Sequence, residues 1–152
     1  MTHIGFKVRI ILLFIFVLCL SGLLPNLSAN QNKICFNNSC FTVEIAQKEE
    51  ELMRGLQSRE SLKEDGGMLF IFPKNGVYGF WMKDTLLALD MIWLDEHKRV
   101  IYIAANVPPC QKDPCPTYGP FEETRYVLEI NAGLAKKSNI SITDQAQFDF
   151  EQ

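Results

Sequence analysis

The segment Gly66-Gly67-Met68-Leu69-Phe70-Ile71-Phe72-Pro73-Lys74-Asn75-Gly76-Val77-Tyr78-Gly79-Phe80-Trp81-Met82 sets the architecture of the chain. Met68 to Phe72 is an unbroken apolar run, which fits a strand covered on both faces. Pro73-Lys74-Asn75-Gly76 reads as a turn, because Asn-Gly tolerates positive φ. Val77 to Met82 then returns as a strand, so a hairpin is expected here. Gly66-Gly67 punctuates the chain ahead of it.

Strand-like segments continue on both sides. Phe41-Thr42-Val43-Glu44-Ile45 alternates apolar and polar residues, as a half-buried strand does. Leu89 to Leu94 is a further strand, and Asp95-Glu96-His97-Lys98 turns the chain into another over Arg99 to Val107. Tyr126 to Ile130 and Ala146 to Phe150 complete the set. Lys48 to Leu56 reads as a short helix with Leu52, Met53 and Leu56 as its apolar face. Glu49, Glu50 and Glu51 lie in its first turn, where the helix dipole favours them, and Gly55 weakens its end. Ala132 to Lys137 can form one or two helical turns. Successive strands joined by short turns imply a mainly β, antiparallel sandwich or barrel-like single domain with one or two short helices. It is expected over residues 30–152, with no internal repeat and no linker.

The N-terminus predicts export. Lys7 and Arg9 precede an apolar run from Ile10 to Leu20, which Ser21, Gly22 and Pro25 break. Leu27-Ser28-Ala29 then offers a small-residue cleavage site, so residues 1–29 read as a signal peptide. The run falls short of the about 20 residues a membrane span needs, although an uncleaved anchor extended by Leu23 and Leu24 is the alternative. A lipid anchor on Cys19 is disfavoured by its place inside the apolar run. Cleavage removes two of the 15 basic residues and none of the 18 acidic ones, leaving a net charge of −5. That balance argues against nucleic acid or an anionic membrane as partner. A monomeric periplasmic or extracellular protein is expected.

Cys35, Cys40, Cys110 and Cys115 form two pairs of equal spacing. In an oxidising compartment they suggest local bridges Cys35–Cys40 and Cys110–Cys115, one of the three pairings that four cysteines allow. A four-thiolate zinc site is the alternative, at the outer edge of its usual spacing. The second pair staples a proline-rich loop, residues 108–120, containing Pro108, Pro109, Pro114, Pro116 and Pro120.

Two histidines exclude much chemistry. His3 lies in the signal and His97 in a charged turn, so a serine or cysteine hydrolase has no histidine base. A histidine-held metal is equally unsupported. No phosphate loop or dinucleotide fingerprint is present, and no cofactor or metal is expected. Carboxylates remain. Asp90 and Glu129 interrupt apolar strands and are the candidate acid and base of a hydrolase acting on envelope polysaccharide. The alternatives are that each faces solvent on the polar side of its strand, or that they form one charged network with Arg54 and Arg59. Phe80-Trp81-Met82-Lys83-Asp84-Thr85 places an aromatic beside a cation, a carboxylate and a hydroxyl, a mixture able to hold a sugar or a small polar ligand. The bland reading of the same segment is core plus a local turn.

Four motifs occur in order: Arg54-Gly55-Leu56 with Arg59; Gly67-Met68-Leu69-Phe70; Phe80 to Thr85 followed by Leu89-Asp90; and Tyr126 to Gly133. Together they resemble the domain-of-unknown-function 192 family, mostly exported bacterial and archaeal proteins, from about Phe41 to the C-terminus. The loop Cys110 to Tyr118 is similar to that family's variable cysteine-bearing loop. Gln57 stands where the family usually has methionine, and Asp84 where it usually has asparagine. The resemblance implies a mainly β fold and export, and no particular activity. The leading functional expectation is a non-enzymatic binding domain for a small polar ligand or glycan, held near Arg54, Arg59, Trp81, Lys83, Asp84 and Thr85. The hydrolase and an accessory subunit of an envelope complex are the competing expectations.

Overall fold

The computed structural model describes residues 31–151. The expected signal segment lies outside them. The described residues hold nine strands: β1 (Lys33–Phe36), β2 (Ser39–Ala46), β3 (Gly66–Gly76), β4 (Phe80–Trp81), β5 (Leu89–Leu94), β6 (Val100–Val107), β7 (Thr117–Tyr118), β8 (Thr124–Asn131) and β9 (Gln147–Phe148). Among the described residues two short helices, α1 (Glu49–Arg54) and α2 (Leu134–Lys137), accompany them. Seven strands form one curled sheet in the order β6-β5-β8-β3-β2-β1-β9, and β4 pairs with β7 in a small second sheet. All neighbours are antiparallel except β2 and β3, which run parallel. A bridge between Arg99 and Gln145 ties the start of β6 to the segment leading into β9, bringing the two ends of the sheet together.

The mainly β expectation holds, but the expected hairpin does not form. β3 runs straight through Pro73-Lys74-Asn75 to Gly76, where it still pairs with Thr124. The register slips between Ile71 and Gly76, so the proline falls in an irregular stretch that needs no ladder bond from it. Only Phe80 and Trp81 of the expected return strand are extended, and they pair with Tyr118 and Thr117 inside the proline-rich loop. β3 instead lies between β2 and β8.

Two cores lie on the two faces of the sheet. Side chains alternate between faces along each strand. Leu69, Ile92, Leu128 and Ile130 join Ile34, Phe36, Phe41 and Val43 on one face, which Ala135, Ile140, Ala146 and Phe148 cover. Met68, Phe70, Phe72, Met91, Trp93 and Val127 lie on the other, with Leu56, Met82, Phe80 and Tyr118 packed over them. β3, β5 and β8 are therefore buried on both sides, which is why their sequences read as apolar runs rather than alternating ones.

α1 is shorter than expected and buries no residue completely. Leu56 is buried, but Met53 is 72% exposed, so it is not part of the helix's packed face. The Glu51 carboxylate accepts the backbone N–H groups of Gln47 and Lys48 at 3.2 Å, which fixes the helix start. Gly55 ends it at φ 49°, with its N–H donated to the Glu51 carbonyl. A Cβ there would meet the Phe70 ring at 3.1 Å. Glycine thus lets the end of α1 approach the sheet closely.

Both expected disulfides are present. Cys35–Cys40 closes the β1–β2 hairpin, and Cys110–Cys115 closes the proline-rich loop. Bonded cysteines leave no thiolates for the zinc alternative. Among the described residues no helix is long and apolar enough to cross a membrane. The disulfides and that property are compatible with an exported protein.

Candidate functional site

A cleft of about 620 Å³ opens between α1 and the small β4–β7 sheet. Its floor is the sheet face carrying Phe70, Phe72 and Glu129. One wall is Glu49, Leu52, Met53, Arg54 and Gln57, from α1 and the turn after it. The other is Tyr78, Phe80, Trp81, Thr85 and Thr117. The Ser58 N–H donates to the Asp84 carbonyl at 2.8 Å, linking the turn after α1 to the turn after β4.

The rings are ordered against one another. Phe80 meets Phe70 edge to face at 4.8 Å, and Phe72 in the same manner at 6.2 Å. It also contacts Trp93 at 5.7 Å, while Phe72 stacks on Tyr78 at 3.6 Å. Such packing is worth about 0.5–1.5 kcal/mol per pair beyond area burial, and it fixes the floor. Trp81 stands at the mouth, half exposed, with the Lys83 ammonium 5.9 Å from its ring.

Glu129 is the chemically unusual group. It is 5% exposed and lies opposite Met68 on β3 and Met91 on β5. Among the described residues no hydrogen-bond donor or cation pairs with its carboxyl, and since the buried side-chain oxygen left without a partner is Thr124 Oγ1, the Glu129 carboxyl oxygens open to the cleft. Burial pushes its pKa up from the ordinary 4.5 to about 8. At neutral pH it is a protonated acid at the base of an aromatic cleft.

Asp90 lies elsewhere. It pairs with Ile130 on β8, whereas Glu129 pairs with Met91, so the two carboxylates project from opposite faces. The Asp90 carboxylate is fully buried and accepts the Asn106 N–H at 2.7 Å and the Ala135 N–H at 2.8 Å. It joins β6 to α2 beneath the first core. The two acids therefore share no cleft, and this pair does not form a two-carboxylate glycosidase geometry.

Nor does the charged network form. Arg59 pairs with Glu44 at 2.6 Å on the surface, and Arg54 lines the cleft without an ion pair among the described residues. Asp90 is held by backbone amides, and no arginine reaches it.

Of the six residues expected around a ligand, Arg54, Trp81 and Thr85 line the cleft, and Arg59, Lys83 and Asp84 do not. Lys83 pairs with Asp113 at 3.1 Å, and the Cys110 N–H donates to the Met82 carbonyl, so the stapled loop braces the turn after β4. Asp84 sits at φ 56°. Among residues other than glycine, asparagine and aspartate tolerate this left-handed conformation best. That accounts for either residue at this position without any side-chain recognition. Phe70, Phe72, Tyr78, Phe80 and Gln57 were not expected at a site. Apolar rings in strands read as core, and only the placement of α1 and the stapled loop leaves them lining an opening.

Two solved structures resemble this fold. One, a protein of unknown function from Novosphingobium aromaticivorans DSM 12444, superposes with a TM-score of 0.70 at 30% identity, covering 77% of this chain and 83% of that one. The other, from Sinorhizobium meliloti 1021, is named as a proposed transcription regulator; it has a TM-score of 0.70 at 29% identity, covering 78% and 92%. No curated protein matches the chain. A family model described as "Uncharacterized ACR" matches residues 32–148.

Proposed function

The chain belongs to that family, domain of unknown function 192, and from this premise we propose that it is an exported binding domain whose site is the cleft between α1 and the β4–β7 sheet. One observation carries the reading: a buried acid without a partner faces an aromatic cleft of about 620 Å³. Buried polar groups ordinarily have partners within the protein. A ligand group that reaches Glu129 supplies the missing one. The cleft has the volume and mostly apolar lining of a small-molecule site. Its occupant is a small organic molecule with an apolar or ring-shaped body, larger in apolar surface than the polar metabolite or sugar that the Trp81 segment alone suggests.

The test is a thermal-shift screen of metabolites, repeated on Gln57→Trp, which fills the cleft from its wall. A ligand selective for the native state raises the midpoint. Compounds of this site stabilise the wild type and not the variant. Hits that shift both proteins equally would place binding elsewhere.

A further inference from the structure

We infer that the occupant is an organic cation, whose ammonium group enters among the rings of the cleft and pairs with the Glu129 carboxylate. This rests on the cleft being the ligand site.

The chemistry of the lining separates the ligand classes. A sugar presents several hydroxyl groups and needs a matching number of polar partners. The deep part of this cleft offers Glu129 and the Thr85 hydroxyl, which is already turned to the Lys83 carbonyl at 3.4 Å. An anion would face the Glu129 carboxyl, and the cationic residue of the lining, Arg54, is exposed on α1. An ammonium needs one group that can take up a counter-charge and polarisable surroundings: Glu129 supplies the first by giving up its proton, and the rings supply the second. Phe70 and Glu129 are diagonal neighbours on one sheet face, since Val127 opposes Phe70 and Met68 opposes Glu129. Phe70 and Phe72 each stand nearly perpendicular to Phe80, at 89° and 90°. These pairs are packed on one another, and Tyr78, Phe80 and Trp81 bring further aromatic surface to the same cleft, to which an ammonium group is attracted.

Pairing has a proton consequence. In the empty cleft below about pH 8 the carboxyl keeps its proton; as the cation enters, that proton leaves to solvent. Affinity for a permanently charged ligand therefore rises with pH and levels off above the carboxyl's pKa. The other charged or titratable groups on this side include Glu49 and Arg54 of α1, Tyr78 before β4, the paired Glu44 and Arg59, and at the mouth Lys83, which is paired with Asp113. β3 and β5 present Met68 and Met91 to Glu129.

Calorimetry on the purified full-length protein tests this with choline, benzyltrimethylammonium, 3,3-dimethyl-1-butanol (the uncharged isostere of choline), methyl glucoside and phenylacetate. The expected result is that both quaternary cations bind with proton release. The isostere should bind at least about tenfold more weakly than choline. Cation affinity should rise up to about pH 8 and then flatten. Glu129→Gln should lose at least about tenfold in affinity together with the proton release. Equal binding of choline and its isostere, or affinity falling as pH rises, would overturn the inference, as would failure of both cations to bind. If methyl glucoside or phenylacetate binds and Gln57→Trp abolishes it, the cation assignment falls while the cleft stands as the site. If no compound here or in the screen is sensitive to Gln57→Trp, both fall. Should Glu129→Gln not fold, the isostere ratio and the wild-type pH slope decide alone.

Discussion

Asp90 and Glu129 sit one register step apart on adjacent strands, yet their carboxyl groups point to opposite faces of the sheet. One is held by two backbone amides; the other has no partner among the described residues. Their substitutions should therefore behave in opposite ways. Asp90→Ala leaves two buried N–H groups without acceptors and removes two charge-assisted bonds, so it should cost about 3 kcal/mol or more. Asp90→Asn keeps one acceptor oxygen and should cost less. Urea unfolding measures both, and a loss within the scatter of surface mutants would contradict the clamp.

Glu129→Gln should be tolerated, with a benefit that depends on pH. The folded-state pKa of Glu129 is raised from 4.5 to about 8. A raised acid contributes fully below about pH 4.5 and loses that contribution as pH rises through about 8, because the unfolded chain ionises first. Wild type should fall relative to Glu129→Gln across that window, by an amount on the order of several kcal/mol at most. Unfolding curves at about pH 5 and about pH 9 test the sign. Parallel curves for the two proteins would show that the acid is not held neutral.

Gly67→Ala should damage the fold more than an ordinary strand glycine would. A Cβ at Gly67 would lie 2.6 Å from the Glu129 carbonyl oxygen and 2.9 Å from Ile130 Cγ2. Since the obstacle is partly backbone, β3 and β8 must separate, at about 2 kcal/mol or more. A midpoint unchanged in denaturant would mean that the strands shift freely there.

Replacing Cys110 and Cys115 together by serine should act locally. The loop is short, so the chain-entropy effect is about 2 kcal/mol. The loop supports β7 and, through Met82 and Asp113, the turn after β4. Hydrogen exchange should quicken at Trp81 and Thr117 and stay slow in β5 and β8. Uniform acceleration throughout the sheet would show that this bridge holds the core as well.

Much of the framework was legible because it rests on local signals. The apolar runs at Leu89–Leu94 and Tyr126–Ile130 became β5 and β8, and the equal cysteine spacings became two bridges. The hairpin failed for a nonlocal reason. Asn75-Gly76 has turn chemistry, but continued pairing with β8 as far as Thr124 keeps that stretch extended. The faces of Asp90 and Glu129 were hidden by the burial that made their strands recognisable. A strand apolar on both sides carries no period of two from which to orient a single polar residue. Trp81 and Thr85, singled out by their unusual segment, line the cleft. The ring floor was not, since its opening depends on how closely Gly55 lets α1 approach Phe70.

The strand order also dictates when the chain can fold. β8 separates β3 from β5, although β3 and β5 come earlier in the sequence. Until residues 124–131 have been synthesised, β1–β3 and β5–β6 are two unconnected pieces, each with a bare edge where β8 will sit. Long-range pairings of this kind slow folding and leave strand edges open to other chains meanwhile. The sheet of the nascent polypeptide therefore stays unfinished until β8 has been made, and a fragment ending before Thr124 should aggregate rather than form a smaller version of the sheet.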